Sequence, residues 1–387
     1  MKIVSLGEIA TIDRKAVKPE DIADGTTYVG LENIVSGGEF LSVGPVANGE
    51  LASAKLAFDE RHILYGKLRP YLAKIAVPSF GGVCSTDILP VRVGSAADKM
   101  FVAHFLRQRH VVDQVNGLAA GANLPRISPS ALLTIQIPLP PLDEQRRIAA
   151  ILDKADDLRT KRREALAHLD TLTQSIFHSM FGEGRRNPLA WPTSELDTLL
   201  EFGPQNGMYL PASEYGSGAP IVRIDSFRGG IIDDLSSLKR LRVSTNDLDN
   251  YGLQTGDILI NRVNSIEHLG KSCVVPDLRE PTVFESNMMR CRFDRNKVHS
   301  EYLRSALMSD YMYGQIVRRA KRAVNQASIN QTDVRQFEIR VPPLELQQAF
   351  ANRVAAVERL KELHRKHLAE LDTLFASLQH RAFKGEL

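Results

Sequence analysis

The feature of the sequence that most constrains its fold is an internal repeat. Residues 139–147 read LPPLDEQRR and residues 341–349 read VPPLELQQA, which is an offset of 202 positions. The same offset places the tetrapeptide LDTL at 169–172 on the identical tetrapeptide at 371–374. Self-similarity at a fixed offset is the signature of a duplicated structural unit. The sequence therefore predicts a module, a helix, a second module and a second helix.

Upstream of this stretch the offset shrinks, as insertions in the second copy require. Residues 82–93 align with residues 282–293 at an offset of 200, and residues 28–34 align with residues 221–227 at an offset of 193. Each match is short, and their collinear order is what supports the duplication. We predict two globular domains, 1–138 and 188–340, and two helical spacers, 139–187 and 341–387.

Each of the two diprolines, at 140–141 and 342–343, marks the start of a long helical pattern, because proline cannot continue a strand and disfavours helix just before it. The patterns run to Phe181 and to about Phe383. Their apolar residues follow a heptad frame, which is typical of a coiled coil. We place on this seam Ile148, Ile151, Ala155, Leu158, Ala165, Leu169, Leu172 and Ile176 in the first helix, and Phe350, Val357, Leu360, Leu371, Leu374 and Leu378 in the second.

A helix of this length, roughly 57–60 Å, needs a partner for its apolar stripe. The prediction is that the two helices pair as an intramolecular antiparallel coiled coil. Arg162, His364 and His367 would interrupt the seam, and polar seam residues often fix register. The alternative is that each helix packs only on its own domain. Three helix-breaking residues are predicted to end the first helix: Gly182, Gly184 and Pro188.

The globular modules combine short strand-like runs with helical patches. We predict strands at 28–34, 63–65 and 88–93 in the first module and at 221–224, 258–260 and 283–293 in the second. Helical patches follow at 101–115 and 302–322. This order indicates an α+β fold with a mixed or antiparallel sheet. The expected architecture is two tandem α/β domains and two long helices, related by a pseudo-two-fold.

Composition and motifs exclude several classes of protein. There are three cysteines without a CxxC, which predicts neither a disulfide framework nor a zinc site and suits a reducing cytoplasm. No run of 18 apolar residues predicts a membrane span, and Glu8 interrupts any secretory signal. The sequence has no Walker loop, GxGxxG, HExxH or GxSxG. We therefore expect a binding protein with no catalytic residues, no metal site and no cofactor.

The distribution of charge says more than its total. The net charge of +3 is too small to indicate nucleic acid. Residues 290–340, however, carry eleven Lys and Arg against five Asp and Glu. A basic run can bind phosphate, and it can equally be a solvated helix face. The densest part of this stretch is the basic cluster Arg318, Arg319, Lys321 and Arg322.

Cationic and amide side chains recur in loops at matched positions of the two modules. Such side chains contact phosphates and base edges in protein–DNA complexes. For any one residue, ordinary turn chemistry is the alternative. As a set, they predict two modules that read a bipartite double-stranded DNA target. Besides the basic cluster, the candidates are Lys67, Arg69, Tyr71, Asn123 and Arg126 in the first module, and Arg262, Asn264, Lys271, Asn325, Gln326 and Asn330 in the second.

The entry into the first long helix, IPLPPLDEQ at 137–145, resembles the conserved spacer of specificity subunits of type I restriction–modification systems. The segment GKLRP at 66–70 resembles their target-recognition domains. The second spacer, from Ile339, is a weaker match, since Leu346 stands where the first has Glu144. Gln348-Ala349 likewise replaces Arg146-Arg147.

The resemblance implies a non-catalytic, cytoplasmic DNA-recognition subunit. It would recruit two modification subunits that bind S-adenosylmethionine, and restriction subunits would supply ATP-driven translocation and cleavage. The alternative from another class is a coiled-coil scaffold that binds proteins and never contacts DNA. An adjacent methyltransferase gene would favour the specificity subunit.

Overall fold

The structure is a computed structural model that describes residues 2–182, 187, 189–209, 211–227, 229–232, 234–324 and 326–387. Three residues named above lie outside the described residues: Gly184, Pro188 and Asn325. The chain divides into two compact units. Unit 1 comprises Met1–Glu164 and Arg365–Leu387, and unit 2 comprises Ala165–His364. Each unit therefore holds one globular part and one half of each long helix.

The described strands of unit 1 form antiparallel pairs and one parallel pair, β4 with β9. Its strands are β1 (Lys2–Ser5), β2 (Ala10–Ile12), β3 (Ala16–Val17), β4 (Thr26–Val29), β5 (Gly44–Val46), β6 (Lys55–Phe58), β7 (His62–Gly66), β8 (Ile75–Ala76), β9 (Gly82–Cys84), β10 (Ile88–Val93) and β11 (Gln136–Leu139). Its shorter helices are α1 (Leu6–Ile9), α2 (Lys99–Leu106), α3 (Arg109–Gly117) and α4 (Pro129–Leu133), with 3₁₀ turns at Pro19–Asp21, Leu31–Asn33 and Pro70–Leu72. The sheets are ordered β2-β10-β7-β8, β3-β6-β9-β4-β5 and β1-β11.

Unit 2 follows the same plan, and its one parallel pair among the described strands, β14 with β19, corresponds to β4 with β9. Its strands are β12 (Thr193–Glu195), β13 (Leu200–Asn206), β14 (Tyr215–Val222), β15 (Arg240–Leu241), β16 (Ile258–Asn261), β17 (Val263–Asn264), β18 (Ser272–Val274), β19 (Val283–Phe284), β20 (Met288–Phe293), β21 (Lys321–Ala323), β22 (Gln326–Ser328) and β23 (Glu338–Arg340). Its shorter helices are α6 (Thr245–Tyr251), α7 (Ser300–Leu307), α8 (Asp310–Arg319) and α9 (Gln331–Arg335), with 3₁₀ turns at Leu196–Leu199, Ala212–Glu214, Leu235–Ser237 and Ile266–His268. The sheets are ordered β13-β20-β16-β18, β15-β14-β19, β17-β22-β21 and β12-β23.

The predicted α+β class is confirmed, and three of the predicted elements are corrected. The helical patches at 101–115 and 302–322 are each two helices, α2 with α3 and α7 with α8. In unit 2 the break comes at Ser309, whose side chain accepts a hydrogen bond from the Met312 amide at 3.3 Å and so starts a new helix. Lys321 and Arg322 belong to strand β21 rather than to a helix. The predicted strand 283–293 is likewise β19 and β20, with a turn between them.

The long helices are α5 (Leu142–Phe181) and α10 (Leu344–Lys384). Within unit 1 the Arg159 Nε lies 2.6 Å from the Asp372 carboxylate, and the Arg147 guanidinium donates to the Leu387 carbonyl at 2.7 Å. As one sequence number rises the other falls, so the predicted antiparallel pairing is confirmed there. Among the described residues, no helix is long and apolar enough to cross a lipid bilayer.

Unit 2 repeats this pairing of the two helices. The Lys361 ammonium lies 3.1 Å from the Asp170 carboxylate, and the rings of Phe177 and Phe350 are 5.6 Å apart. At the offset of 202, Lys361 corresponds to Arg159 and Asp170 corresponds to Asp372. The ion pair between the helices is therefore duplicated along with the chain.

The predicted composition of the seam is wrong at four leucines. Leu158, Leu172, Leu360 and Leu374 are exposed, with 39–49% of their surface accessible. The neighbouring cation Lys361 is buried instead, and Arg159 is half-buried, with side chains 8% and 18% exposed. Long cationic side chains pack their methylene stems against apolar surface and pair their charged ends. A heptad pattern of apolar residues therefore cannot identify seam positions that are occupied by Arg or Lys.

A buried glutamine fixes the start of each long helix to its globular part. Gln145 is fully buried, its Nε2 donates to the Pro140 carbonyl at 2.8 Å, and its Oε1 accepts from the Asp98 amide at 2.8 Å. Gln347 is also fully buried, and bonds to the Pro342 carbonyl at 2.7 Å and the His299 amide at 2.8 Å. The Asp98 amide belongs to the residue that caps the start of α2, and the His299 amide to the residue that caps the start of α7.

Candidate nucleic-acid interface

In unit 1 the loop after β7 is held between two segments that are distant in sequence. The Lys67 amide donates to the Asp87 carbonyl at 2.9 Å, and the Lys67 carbonyl accepts from the Ile127 amide at 3.0 Å. The Arg69 amide donates to the Pro125 carbonyl at 2.7 Å. The structure thus brings the two candidate loops of the first module, 67–71 and 121–126, side by side.

The conformation of the first loop presents its side chains to solvent. Arg69 has a φ of +51° and Ala73 a φ of +48°, a left-handed conformation that is uncommon for residues with a side chain. Pro70 between them is buried, while Arg69 and Tyr71 are exposed. Asn123 is also exposed, in the turn that the bridge between Ala120 and Arg126 closes. A left-handed residue costs energy that its surroundings must offset, so the loop has a set shape.

Two cations of these loops, Lys67 and Arg126, converge on one carboxylate. The Lys67 ammonium lies 3.7 Å from the Asp87 Oδ1, and the Arg126 Nε donates to the same oxygen at 3.2 Å. All three side chains remain partly exposed, at 24%, 44% and 28% for Lys67, Arg126 and Asp87. Asp87 was not among the sequence candidates. The alignment of 82–93 with 282–293 could have drawn attention to it, because it sets Asp87 on Asn287.

Unit 2 repeats the loop arrangement with different side chains. The Arg262 amide donates to the Asn287 carbonyl at 2.8 Å, and the Arg262 carbonyl accepts from the Ile329 amide at 3.0 Å. Strand β17 pairs with β22 in a register that sets Val263 opposite Ser328. The backbone framework matches that of unit 1, since Lys67 and Ile127 make the same contacts there.

The remaining candidates of unit 2 divide into those beside this framework and those engaged elsewhere. Lys321, Arg322 and Gln326 are exposed on the paired strands β21 and β22. The exposed Lys271 joins the same region, because its carbonyl accepts from the Asn261 amide at 2.8 Å. Arg318 is exposed at the end of α8.

Three candidates already have local partners. The Arg319 guanidinium donates to the Gln336 Oε1 at 2.5 Å. Asn330 caps α9 by accepting from the Asp333 amide at 2.9 Å. The Asn264 Oδ1 accepts from the amide of the next residue, Ser265, at 2.8 Å. These bonds give each side chain a structural role without assigning it a base or phosphate.

Comparison with known proteins identifies the family to which this duplicated architecture belongs. A family model described as the type I restriction modification DNA specificity domain matches residues 1–168 and, a second time, residues 188–373. The chain belongs to this family. Each match to the specificity domain contains one complete set of paired loops.

Relatives of the specificity family agree with this assignment. The EcoKI specificity subunit of Escherichia coli (strain K12) is 27% identical over 328 residues, covering 80% of this chain and 69% of that protein. The putative MjaX specificity subunit of Methanocaldococcus jannaschii is 30% identical over 208 residues, covering 51% of this chain and 48% of that protein.

Solved structures share the fold of this chain. The type I restriction–modification S subunit from M. genitalium matches with a TM-score of 0.61 at 14% identity, covering 99% of this chain and 96% of its own. A chain from a study of complex assembly and conformational transition of the type I R-M system matches with a TM-score of 0.61 at 21% identity. That match covers 100% of this chain and 98% of the other.

Proposed function

We propose that the chain is the DNA-reading specificity subunit of a type I restriction–modification complex. Each globular part would read one half of a bipartite target, through the loops around Lys67 in unit 1 and Arg262 in unit 2. The observation that carries the proposal is the repeated backbone framework, which holds different polar side chains in the two units. Phosphate-directed cations would position the protein, and side chains on base edges would specify the sequence.

We infer that the subunit is not itself an enzyme, and that its partners supply the chemistry. The exposed leucines of the long helices support two partner sites. Leu158 and Leu374 lie in unit 1, and their repeat equivalents Leu360 and Leu172 lie in unit 2. Contiguous apolar patches on a protein surface mark interaction sites. We infer that Leu158 with Leu374 forms one leucine patch and Leu360 with Leu172 a second, and that each binds one modification subunit. Restriction subunits would join the assembled complex.

The leucine patches make this proposal testable. We expect Leu158→Ala with Leu374→Ala to lower the number of modification subunits bound per chain from two to one, because only one of the two patches is lost. Leu41→Ala changes a leucine of the globular part that is at least as exposed, and should leave the number at two. The measurement is the mass of the purified complex by light scattering, with methylated sites mapped by sequencing.

Two outcomes would count against the proposal. If the double leucine variant still bound two modification subunits, the patches would not be the docking sites. If the wild-type complex methylated no bipartite sequence, the chain would be a protein-binding scaffold instead of a DNA-reading subunit.

A further inference from the structure

We propose that Lys67, Arg126 and Asp87 together form a reading site for the major-groove edge of a G·C base pair. The inference rests on the proposed function and adds to it the kind of base pair that unit 1 selects. The three side chains come from three separate segments: the end of β7, the turn before β10 and the turn that closes at Arg126.

The backbone holds these three segments together independently of the charges. The Lys67 amide bonds to the Asp87 carbonyl, and the Lys67 carbonyl to the Ile127 amide, at 2.9 and 3.0 Å. Leu68 forms a bridge with Arg126. The ends of the side chains then lie within 3.7 Å of one carboxylate oxygen, and all remain accessible. A site with its polar groups already in place loses little freedom on binding.

The carboxylate is what distinguishes this site from a phosphate-binding patch. A negative charge between two cations repels phosphate and weakens their joint attraction for it. The edge of a G·C pair, by contrast, needs both kinds of group. Guanine presents the acceptors N7 and O6, which pair with Arg or Lys, and cytosine presents the N4 donor, which pairs with Asp or Glu. Lys67 and Arg126 supply the donors, and Asp87 supplies the acceptor.

Unit 2 has a different set at the corresponding place. Asn287 occupies the position of Asp87, Arg262 that of Lys67 and Ser328 that of Arg126. The Arg262 guanidinium donates to the Ser286 carbonyl at 3.1 Å. The corresponding position in unit 2 therefore lacks the carboxylate, so the proposed preference applies to one half-site. The other half-site then serves as an internal control.

The test uses the complex reconstituted with its modification subunits and a DNA library with randomised half-sites, with methylated molecules sequenced. Lys67→Ala with Arg126→Ala identifies the half-site that unit 1 reads. We expect Asp87→Asn to lower the selection of cytosine over other bases at one G·C position of that half-site, by about tenfold. The other half-site should be unchanged. Asp157→Asn removes the same charge from a carboxylate on α5 that pairs with Lys161, and should change neither half-site.

The outcomes separate the two claims. If the wild-type complex selects no bipartite sequence, the proposed function fails. If it does, but Asp87→Asn alters no G·C position or lowers methylation of all sequences equally, the reading site is overturned. Should Asp87→Asn fail to fold, as judged by thermal unfolding, Lys67→Met and Arg126→Met each remove one guanine donor. At least one of these two variants must relax the selection of guanine in the same base pair. If both variants still selected guanine as the wild type does, the proposal would be contradicted.

Discussion

Units 1 and 2 agree most closely where the long helices meet the globular parts, and least closely at the loops. Gln145 and Gln347 make the same two kinds of hydrogen bond. The ring of Phe383 lies 5.0 Å from Phe101, and its equivalent Phe181 lies 4.8 Å from Tyr302. At the loops, by contrast, unit 1 has the carboxylate of Asp87 where unit 2 has the amide of Asn287.

This difference separates the contacts that support the fold from the loops that we propose to contact DNA. Buried side chains at the helix starts are constrained by packing and by hydrogen bonds that must be satisfied. The polar loop side chains are at least partly exposed, and their shared backbone bonds do not depend on which residue is present. A duplicated chain can therefore keep one framework and carry two different recognition surfaces.

The largest effect is expected at the buried glutamines. Gln347→Ala leaves the His299 amide and the Pro342 carbonyl without a partner, and should destabilise unit 2 by about 3 kcal/mol. Gln145→Ala should act equally on unit 1. Urea unfolding of the full chain gives the free energy, and hydrogen exchange in α7 or α2 shows which unit is affected. The neighbouring exposed Gln348→Ala is the control. A loss confined to one of the two glutamines would mean that the supporting contacts are not equivalent.

A smaller effect is expected from the basic cluster of unit 2. Because Arg319 is already bound to Gln336, the free energy of DNA binding should depend mainly on Arg318, Lys321 and Arg322. Replacing these three by Ala should weaken binding about tenfold, or 1.4 kcal/mol, for all sequences alike. The slope of log affinity against log salt should flatten by up to about three. An unchanged slope would make the cluster a solvated surface.

The smallest expected effect is on the pH dependence of stability. It concerns the buried His62 of unit 1, whose counterpart in unit 2 is a different residue. In unit 1 His62 is buried, 3.0 Å from Asp13. It stands five residues before Lys67, and in unit 2 Asp257 stands five residues before the equivalent Arg262. Asp257 bonds to Arg292 at 2.8 Å. Burial raises the pKa of Asp13, but hydrogen bonds from Arg92 and His62 lower it further, so that the pKa lies below its ordinary value. This stabilisation is present above the unfolded pKa of about 4 and is lost as the pH falls through the lower folded pKa.

Asp13→Asn should therefore reduce the fall in unit 1 stability below about pH 4. The measurement is the free energy of unfolding between pH 7 and pH 3, with the exposed Asp24→Asn as the control. An identical pH dependence in wild type and Asp13→Asn would show that this carboxylate is not responsible.

Much of the architecture could be predicted from the sequence because the two copies of the duplicated unit are still recognisably similar. The repeat, the long helices and their antiparallel pairing follow from one offset and a heptad pattern. The seam could not be predicted fully, since Arg159 and Lys361 are cationic in the sequence, yet their side chains are only 18% and 8% exposed in the structure. Asp87 was missed for another reason. A carboxylate gains meaning only when the fold brings Lys67 and Arg126 to it from separate segments.

We propose that the two recognition domains, joined by the long helices α5 and α10, read two half-sites separated by a set length of DNA. The most direct test inserts one heptad into both α5 and α10, after Arg162 and His364, which keeps the helical pairing in frame. Each helix grows by about 10 Å, or about three base pairs of DNA. Sequencing the methylated sites of the reconstituted complex should show the same half-sites with a gap about three base pairs longer. Unchanged spacing, or altered bases at either end, would contradict the account.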